Sequence, residues 1–155
     1  MSLRAEIVDT GIEYFYKSKL IINKPAQEIF NFIADPENHS KFDGSGMVRG
    51  RIAGPKKLYL GAKFGMSMKQ GIPYPIKNEV VEFQEGRSIA WQHILHNVWR
   101  YELVAIDKNT TEVIESWDAT HARALWWIKK GKPWNWVPKA MGKSLVNLKR
   151  IVENA

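Results

Sequence analysis

An amphipathic helix near the end of the chain limits what the rest can fold into. Apolar residues recur at helical spacing through 138–153, with lysine and arginine on the opposite side. Pro138 fits the first helical turn, where the N–H that proline lacks would have no partner. A helix of this length measures roughly 24 Å and crosses about five strands, so we expect a sheet beneath it. Its apolar stripe consists of Met141, Leu145, Leu148 and Val152.

The residues before this helix carry the pattern of that sheet. Apolar and polar residues alternate in about seven segments, as they do in half-buried strands. The connections between them are short, which favours antiparallel pairing, and the order of elements predicts an α+β fold. Two short helices follow the first strand, one opened by Pro25 and the other by Asp35-Pro36. The predicted strands are 14–23, 47–53, 62–70, 74–83, 88–94, 99–106 and 111–120.

The last two predicted strands form a hairpin about Asp107-Lys108-Asn109. Symmetric pairing puts Asp118 and Ser116 on the more apolar face, which we assign to the core. The same register turns Glu115 outward, into a solvated cluster of charges. On the core face, the residues brought together are Trp99, Tyr101 and Leu103 with Asp118, Ser116 and Ile114.

Three stretches carry a resemblance to a known superfamily. KLIINKPAQEIFNFIADPENHSKFD resembles the N-terminal signature of the SRPBCC or START-like superfamily. NEVVEFQEGRSIAWQH and WRYELVAIDKNTTEVIESWD, followed by a long helix, are similar to its polyketide cyclase/dehydrase and lipid-transport branch. The resemblance implies one helix-grip domain over 1–155. Such a domain bends a sheet of about seven strands around its last helix and encloses an apolar cavity.

Positive charge and tryptophan are concentrated in one part of the chain. The net charge is +7, and no acidic residue occurs between Asp118 and Glu153. Aromatic residues among basic ones are typical of membrane interfaces and single-stranded nucleic-acid sites, while packing of a lid is the alternative. Without an RNA or DNA motif, we expect no nucleic-acid partner, and weak contact of 123–139 with anionic membranes. So short a segment cannot bury four tryptophans, and we expect at least one pair of Trp126, Trp127, Trp134 and Trp136 to be exposed.

Several kinds of chemistry are absent from the sequence. The chain has no cysteine, and its four histidines match no common metal-site spacing. It contains no phosphate-binding loop, dinucleotide fingerprint or nucleophile motif, so we expect neither a metal nor a cofactor. No apolar run reaches the ~18 residues of a membrane span, and no signal peptide is visible, which predicts a cytoplasmic protein.

His93 and Asp118 are the candidate catalytic residues. Alternation puts His93 inside beside Trp91, where an imidazole could orient or protonate a carbonyl near neutral pH. Asp118, if buried beside Trp99, would have a raised pKa and could act as a base. The alternative is a structural role at a strand end, with hydrogen bonds to the backbone for His93 and to a loop for Asp118. His39 is expected at the surface.

Aromatic and methionine side chains on the predicted inner faces suit an adaptable apolar pocket. A packed core is the alternative, but the resemblance implies a cavity. We predict that a small hydrophobic ligand binds between the sheet and the last helix, and leave its identity and the oligomeric state open. The second hypothesis is a polyketide cyclase/dehydratase-like enzyme with an aromatic or polyketide substrate. The predicted ligand-binding residues are Phe64, Met66, Met68, Trp91, His93, Trp99, Tyr101, Ser116, Met141 and Leu145.

Overall fold

The computed structural model describes residues 3–155, apart from the side chains of Ile52 and Gln70. Its strands are β1 (Glu6–Val8), β2 (Phe15–Ile22), β3 (Val48–Ala53), β4 (Lys63–Gln70), β5 (Ile72–Gln84), β6 (Ser88–Gln92), β7 (Val98–Asp107) and β8 (Thr110–Asp118). Its helices are α1 (Ala26–Ile33), α2 (His39–Phe42), α3 (Leu125–Lys130) and α4 (Pro133–Glu153), with a 3₁₀ turn at Pro36–Asn38.

The strands form one antiparallel sheet in the order β1-β2-β8-β7-β6-β5-β4-β3. The predicted α+β class is confirmed, and β2 to β8 correspond to the predicted strands. The sheet has eight strands instead of about seven, because the short strand β1 adds to its edge by pairing with β2. The two predicted short helices after the first long strand are α1 and the turn that leads into α2.

Helix α4 begins at Pro133, so the predicted start at Pro138 was wrong. Pro133 occupies the first helical turn, and Pro138 lies inside the helix. The apolar stripe extends further towards the N-terminus than the spacing suggested, because Val137 is also fully buried.

The predicted stripe of α4 is confirmed. Met141, Leu145 and Leu148 are completely buried, and Val152 nearly so. Leu145 and Leu148 join the main core, and Met141 packs in a second cluster with Trp117. Through these side chains α4 lies across β2 and β8 on the inner face of the sheet.

The β7–β8 hairpin pairs one residue away from the predicted register. Tyr101 pairs with Glu115, where symmetric pairing about the turn predicted Ser116. The cause is a register shift between Ala105 and Asp107, where a bulge puts an extra residue into β7 next to the turn. A one-residue shift exchanges the two faces of every β8 residue relative to β7.

The shift changes which acidic residue faces inward. Glu115 lies on the inner face and is buried, so its predicted outward orientation was wrong. Asp118 pairs with Val98 and Ser116 with Arg100, which places both on the outer face. The predicted inward orientation of Asp118 and Ser116 was therefore wrong as well.

Leu145→Ala is expected to lower the free energy of unfolding by about 2–5 kcal/mol, the usual range for a buried leucine. Leu145 has no exposed surface in the core beneath α4, so the truncation leaves a cavity. Urea melts of the variant and the wild type measure the difference. Lys143→Ala, at an exposed position of the same helix, is the control and should change stability by less than about 0.5 kcal/mol. Equal stability of both variants would contradict the placement of α4.

Candidate functional site

A cavity of about 530 Å³ lies between the inner face of the sheet and the helices α2, α3 and α4. Its volume is within the range of about 300–1,000 Å³ that is usual for small-molecule sites. Aromatic and methionine side chains make up most of the wall on the sheet side. They are Met66, Met68, Tyr74, Trp91, Trp99, Tyr101 and Trp117.

Most of the predicted ligand-binding residues lie in this wall. Those that do not line it are Phe64, Met141, Leu145 and Ser116. Phe64 lies behind the wall, with its ring edge-on to Trp91 at 6.0 Å between centroids. Met141 and Leu145 fill the packed core under α4, and Ser116 is on the outer face of β8.

Asp118, a predicted catalytic residue, lies outside the cavity wall. Its Oδ1 accepts hydrogen bonds from the backbone N of Thr120 at 2.9 Å and from the Thr120 hydroxyl at 2.6 Å. The side chain thus shapes the turn after β8, which is the structural alternative given by the sequence.

Glu115 and Tyr101 form a buried pair that the sequence analysis placed on opposite faces. The Tyr101 hydroxyl donates a hydrogen bond of 2.8 Å to Glu115 Oε1, and both side chains line the cavity. Glu115 Oε2 is buried and has no hydrogen-bonding partner among the described residues. Burial raises the pKa of Glu115 well above its usual range, the Tyr101 hydrogen bond lowers it, and the negative charge of Asp43 raises it further. Burial therefore favours the protonated, neutral form of the carboxyl.

His93 and Asn78 form a second polar pair in the wall. Asn78 Oδ1 accepts a hydrogen bond from His93 Nδ1, which leaves Nε2 as the acceptor of the neutral ring. Burial lowers the pKa of His93 to about 4, so the imidazole is neutral at neutral pH. The structure thus places His93 inside, as alternation predicted, and gives it a side-chain partner.

His39 is a third polar group of the wall, and its predicted surface position was wrong. It is buried, its Nε2–H donates to the Ile33 carbonyl at 2.8 Å, and its ring stacks on Trp91 at 4.7 Å. Burial lowers its pKa to about 4. The 3₁₀ turn after Asp35 directs this residue inward, and no periodic pattern in so short a segment indicates that direction.

The loop between α2 and β3 places Asp43 in the cavity wall. Asp43 accepts hydrogen bonds from the Val48 N–H at 3.1 Å and from the Ser45 hydroxyl at 2.8 Å. Gly44 donates its N–H to Ser144 Oγ at 2.7 Å, and a Cβ at Gly44 would lie 2.6 Å from the Ser144 backbone N. Only glycine allows this loop to approach α4 so closely.

Helix α3 and the start of α4 close the cavity opposite the sheet, where the sequence predicted a lid over 123–139. Trp127, Ile128 and Lys130 line the cavity from α3. Trp126 is 64% exposed and Trp127 is 57% exposed, which confirms that at least one tryptophan pair reaches the surface. Trp136 is partly buried and donates its Nε1–H to the Gly131 carbonyl at 3.1 Å.

The part of the chain that the structure describes brings no three His, Asp or Glu side chains together in a group that could hold a metal ion. Within residues 3–155, no helix has the length and apolar composition needed to cross a membrane.

Comparisons with known proteins give a close sequence relative and many structural neighbours. No family model matches the chain. It is 38% identical over 120 residues to "Uncharacterized protein Rv0088" of Mycobacterium tuberculosis, which covers 77% of this chain and 53% of that protein. The chain thus spans about half the length of the curated relatives it matches.

Solved structures match nearly the whole chain at low identity. Ms6760 from Mycobacterium smegmatis has a TM-score of 0.73 at 12% identity, over 98% of this chain and 99% of that one. The chain has the helix-grip fold. The AHSA1-like protein from Aeromonas hydrophila matches with a TM-score of 0.57 at 14% identity, over 89% of this chain and 92% of that one. These matches show a fold that the chain shares with its structural neighbours.

Glu115→Gln is expected to make stability less dependent on pH. The folded-state pKa of Glu115 lies above the unfolded value of about 4.5, so the unfolded chain releases its proton first as pH rises. Between the two pKa values the wild type therefore loses up to about 1.4 kcal/mol of stability per pH unit relative to the variant. Urea melts between about pH 4 and 8 measure this difference.

Tyr101→Phe tests the titration of Glu115 in a second way. The Tyr101 hydrogen bond lowers the pKa of Glu115, so its removal should extend the loss of stability to higher pH. Parallel pH profiles for the wild type and Glu115→Gln would contradict the buried position of the carboxyl.

Proposed function

We propose that this chain binds a small hydrophobic ligand in the cavity between the sheet and α4. The observation that carries the proposal is the cavity of about 530 Å³ with its aromatic and methionine wall. The tryptophan rings offer flat apolar faces, and the flexible thioethers of Met66 and Met68 adapt to irregular shapes. Polar side chains in the same wall, among them His93 and Glu115, can hydrogen-bond to polar atoms of the ligand.

The superfamily resemblance suggests two finer roles, lipid transport and polyketide cyclisation. Transport requires only that the ligand enter and leave, and the lid formed by α3 lies over the cavity. We therefore favour a binding or carrier protein.

A cyclase or dehydratase is the second candidate, and the protonation states of the wall support it. Burial favours the protonated carboxyl of Glu115 and the neutral imidazole of His93, and both side chains line the same cavity. An acid and a base on one substrate are what a dehydration or an enol-dependent ring closure needs. In this alternative Glu115 takes the role that the sequence analysis gave to Asp118. Chemical change in the bound molecule would distinguish the enzyme from the carrier.

Met68→Trp is expected to weaken binding of N-phenyl-1-naphthylamine, an uncharged apolar dye, by about tenfold or more. Met68 lines the cavity, so the larger ring would occupy the ligand's space. Because that space is open, the free energy of unfolding should stay near the wild-type value. In a packed core the same change would destabilise by about 1–3 kcal/mol. Fluorescence titrations and urea melts measure both quantities.

Leu60→Trp adds the same ring at an exposed position outside the wall and is the matched control. It should bind the dye as the wild type does. Unchanged affinity in Met68→Trp, or a large loss of stability, would contradict the proposed cavity.

A further inference from the structure

We propose that Glu115, oriented by Tyr101, recognises a carbonyl or hydroxyl oxygen on an otherwise apolar ligand. The inference rests on the proposed function, because it assigns chemistry to one point of the same cavity. It narrows the ligand class from any hydrophobic molecule to one with a hydrogen-bond acceptor at a defined place.

The hydrogen bonding of the carboxyl is incomplete in the described structure. Oε1 accepts the Tyr101 hydroxyl at 2.8 Å, while Oε2 is buried and has no partner among residues 3–155. Buried polar atoms are normally hydrogen-bonded, and leaving one unpaired is unfavourable. Since Glu115 lines the cavity, a bound ligand can supply the missing partner.

The surroundings of Glu115 favour a neutral ligand atom over a cation. Burial and the charge of Asp43 both favour the protonated carboxyl, whose free O–H is a donor that requires an acceptor. Ser18, directly across on β2, does not hydrogen-bond to it, and the Ser18 hydroxyl also lacks a partner within the described chain. The wall carries further titratable side chains at His39, Tyr74, His93 and Lys130.

A pair of probes with one two-ring skeleton tests the assignment. 2-Acetylnaphthalene has the carbonyl oxygen, and 2-ethylnaphthalene lacks it. The measured quantity is the ratio of the affinities of the two probes. The two probes differ in hydration free energy, but this difference is the same for every protein and cancels when the ratios are compared. Glu115→Leu, which has a similar size and no donor, should lower the ratio about tenfold. Glu115→Gln should keep the wild-type ratio, since its amide N–H also donates.

The pH dependence of binding distinguishes the carboxyl donor of the wild type from the amide donor of Glu115→Gln. In the wild type the preference for the ketone should fall at alkaline pH as the carboxyl ionises, whereas in Glu115→Gln it should stay constant. The hydrocarbon checks that each variant retains its cavity. If Glu115→Leu does not fold, the two pH profiles still decide the question.

Three outcomes are distinct. An unchanged ratio in Glu115→Leu overturns the recognition of oxygen. A third probe, 2-(aminomethyl)naphthalene, is a cation. If Glu115→Leu weakens its binding more than it weakens binding of the ketone, Glu115 acts as an anion and the proposal is also overturned. If no probe binds any of the proteins, the proposed ligand-binding function itself fails.

A second observation independently indicates a docking surface. We propose that the surface formed by Ile94, Trp126, Trp127, Trp134, Lys129 and Lys130 binds anionic membranes. Ile94 is 78% exposed and lines the cavity together with Trp127 and Lys130, so this surface adjoins the cavity.

Trp126, Trp127 and Lys130 form one cluster on this surface. The Trp126 and Trp127 rings lie 5.9 Å apart, and Lys130 Nζ is 5.3 Å from the Trp126 ring centre. Neither Lys129 nor Lys130 forms an ion pair within residues 3–155. Tryptophan prefers the headgroup region and lysine the negative lipid surface, so an anionic bilayer matches both.

Cosedimentation with vesicles tests the docking surface. The double variant Lys129→Gln/Lys130→Gln should bind phosphatidylserine-containing vesicles about thirtyfold more weakly at low salt. Lys56→Gln/Lys108→Gln removes the same charge at exposed positions elsewhere and should lose much less. Trp126→Ala/Trp127→Ala should also weaken binding, whereas phosphatidylcholine vesicles should bind none of these proteins.

Equal losses in the two lysine variants would show unspecific attraction by the net charge of +7 and overturn the proposal. An oligothymidine strand that binds more tightly than the vesicles, and depends on the same tryptophans and lysines, would also overturn it in favour of a nucleic-acid surface.

Discussion

The cavity exists because helix α4 covers only part of the sheet. Its apolar stripe packs across β2 and β8, with Leu145 and Leu148 fully buried there. The inner faces of β4 and β6 instead present Met66, Met68 and Trp91 to space that α4 does not fill. Helices α2 and α3 close this space from other sides. The position of α4 therefore determines both the core and the volume left for a ligand.

Burial also determines the charge inside the cavity. It lowers the pKa of His39 and of His93 to about 4, so both rings are neutral near pH 7, and it raises the pKa of Glu115, which favours the protonated carboxyl. Asp43 accepts hydrogen bonds from the Ser45 hydroxyl in its own loop and from the Val48 N–H at the start of β3. The predominantly apolar wall favours a largely apolar ligand with a few hydrogen-bonding atoms. Positive charge is concentrated outside, beside the cavity, where it can meet a different partner.

Periodicity predicted much of the fold, because burial on one face imposes it on each segment. The alternation in β4 correctly placed Met66 and Met68 inside, and the stripe of α4 was correct. The register of β7 and β8 was not predictable in this way, since it depends on a bulge beside the turn. Because of the extra residue in this bulge, Glu115 and not Asp118 faces the candidate site. The burial of His39 likewise arises from tertiary packing of a segment too short to show a period.

A crystal structure determined under xenon pressure tests the central claim most directly, because xenon occupies apolar cavities whatever their natural ligand is. We expect xenon density enclosed by Trp91, Trp117 and Trp136, with the Glu115 carboxyl on the same side of the sheet. A core in which the surrounding side chains fill this space, or a β8 register that turns Glu115 outward, would contradict the account.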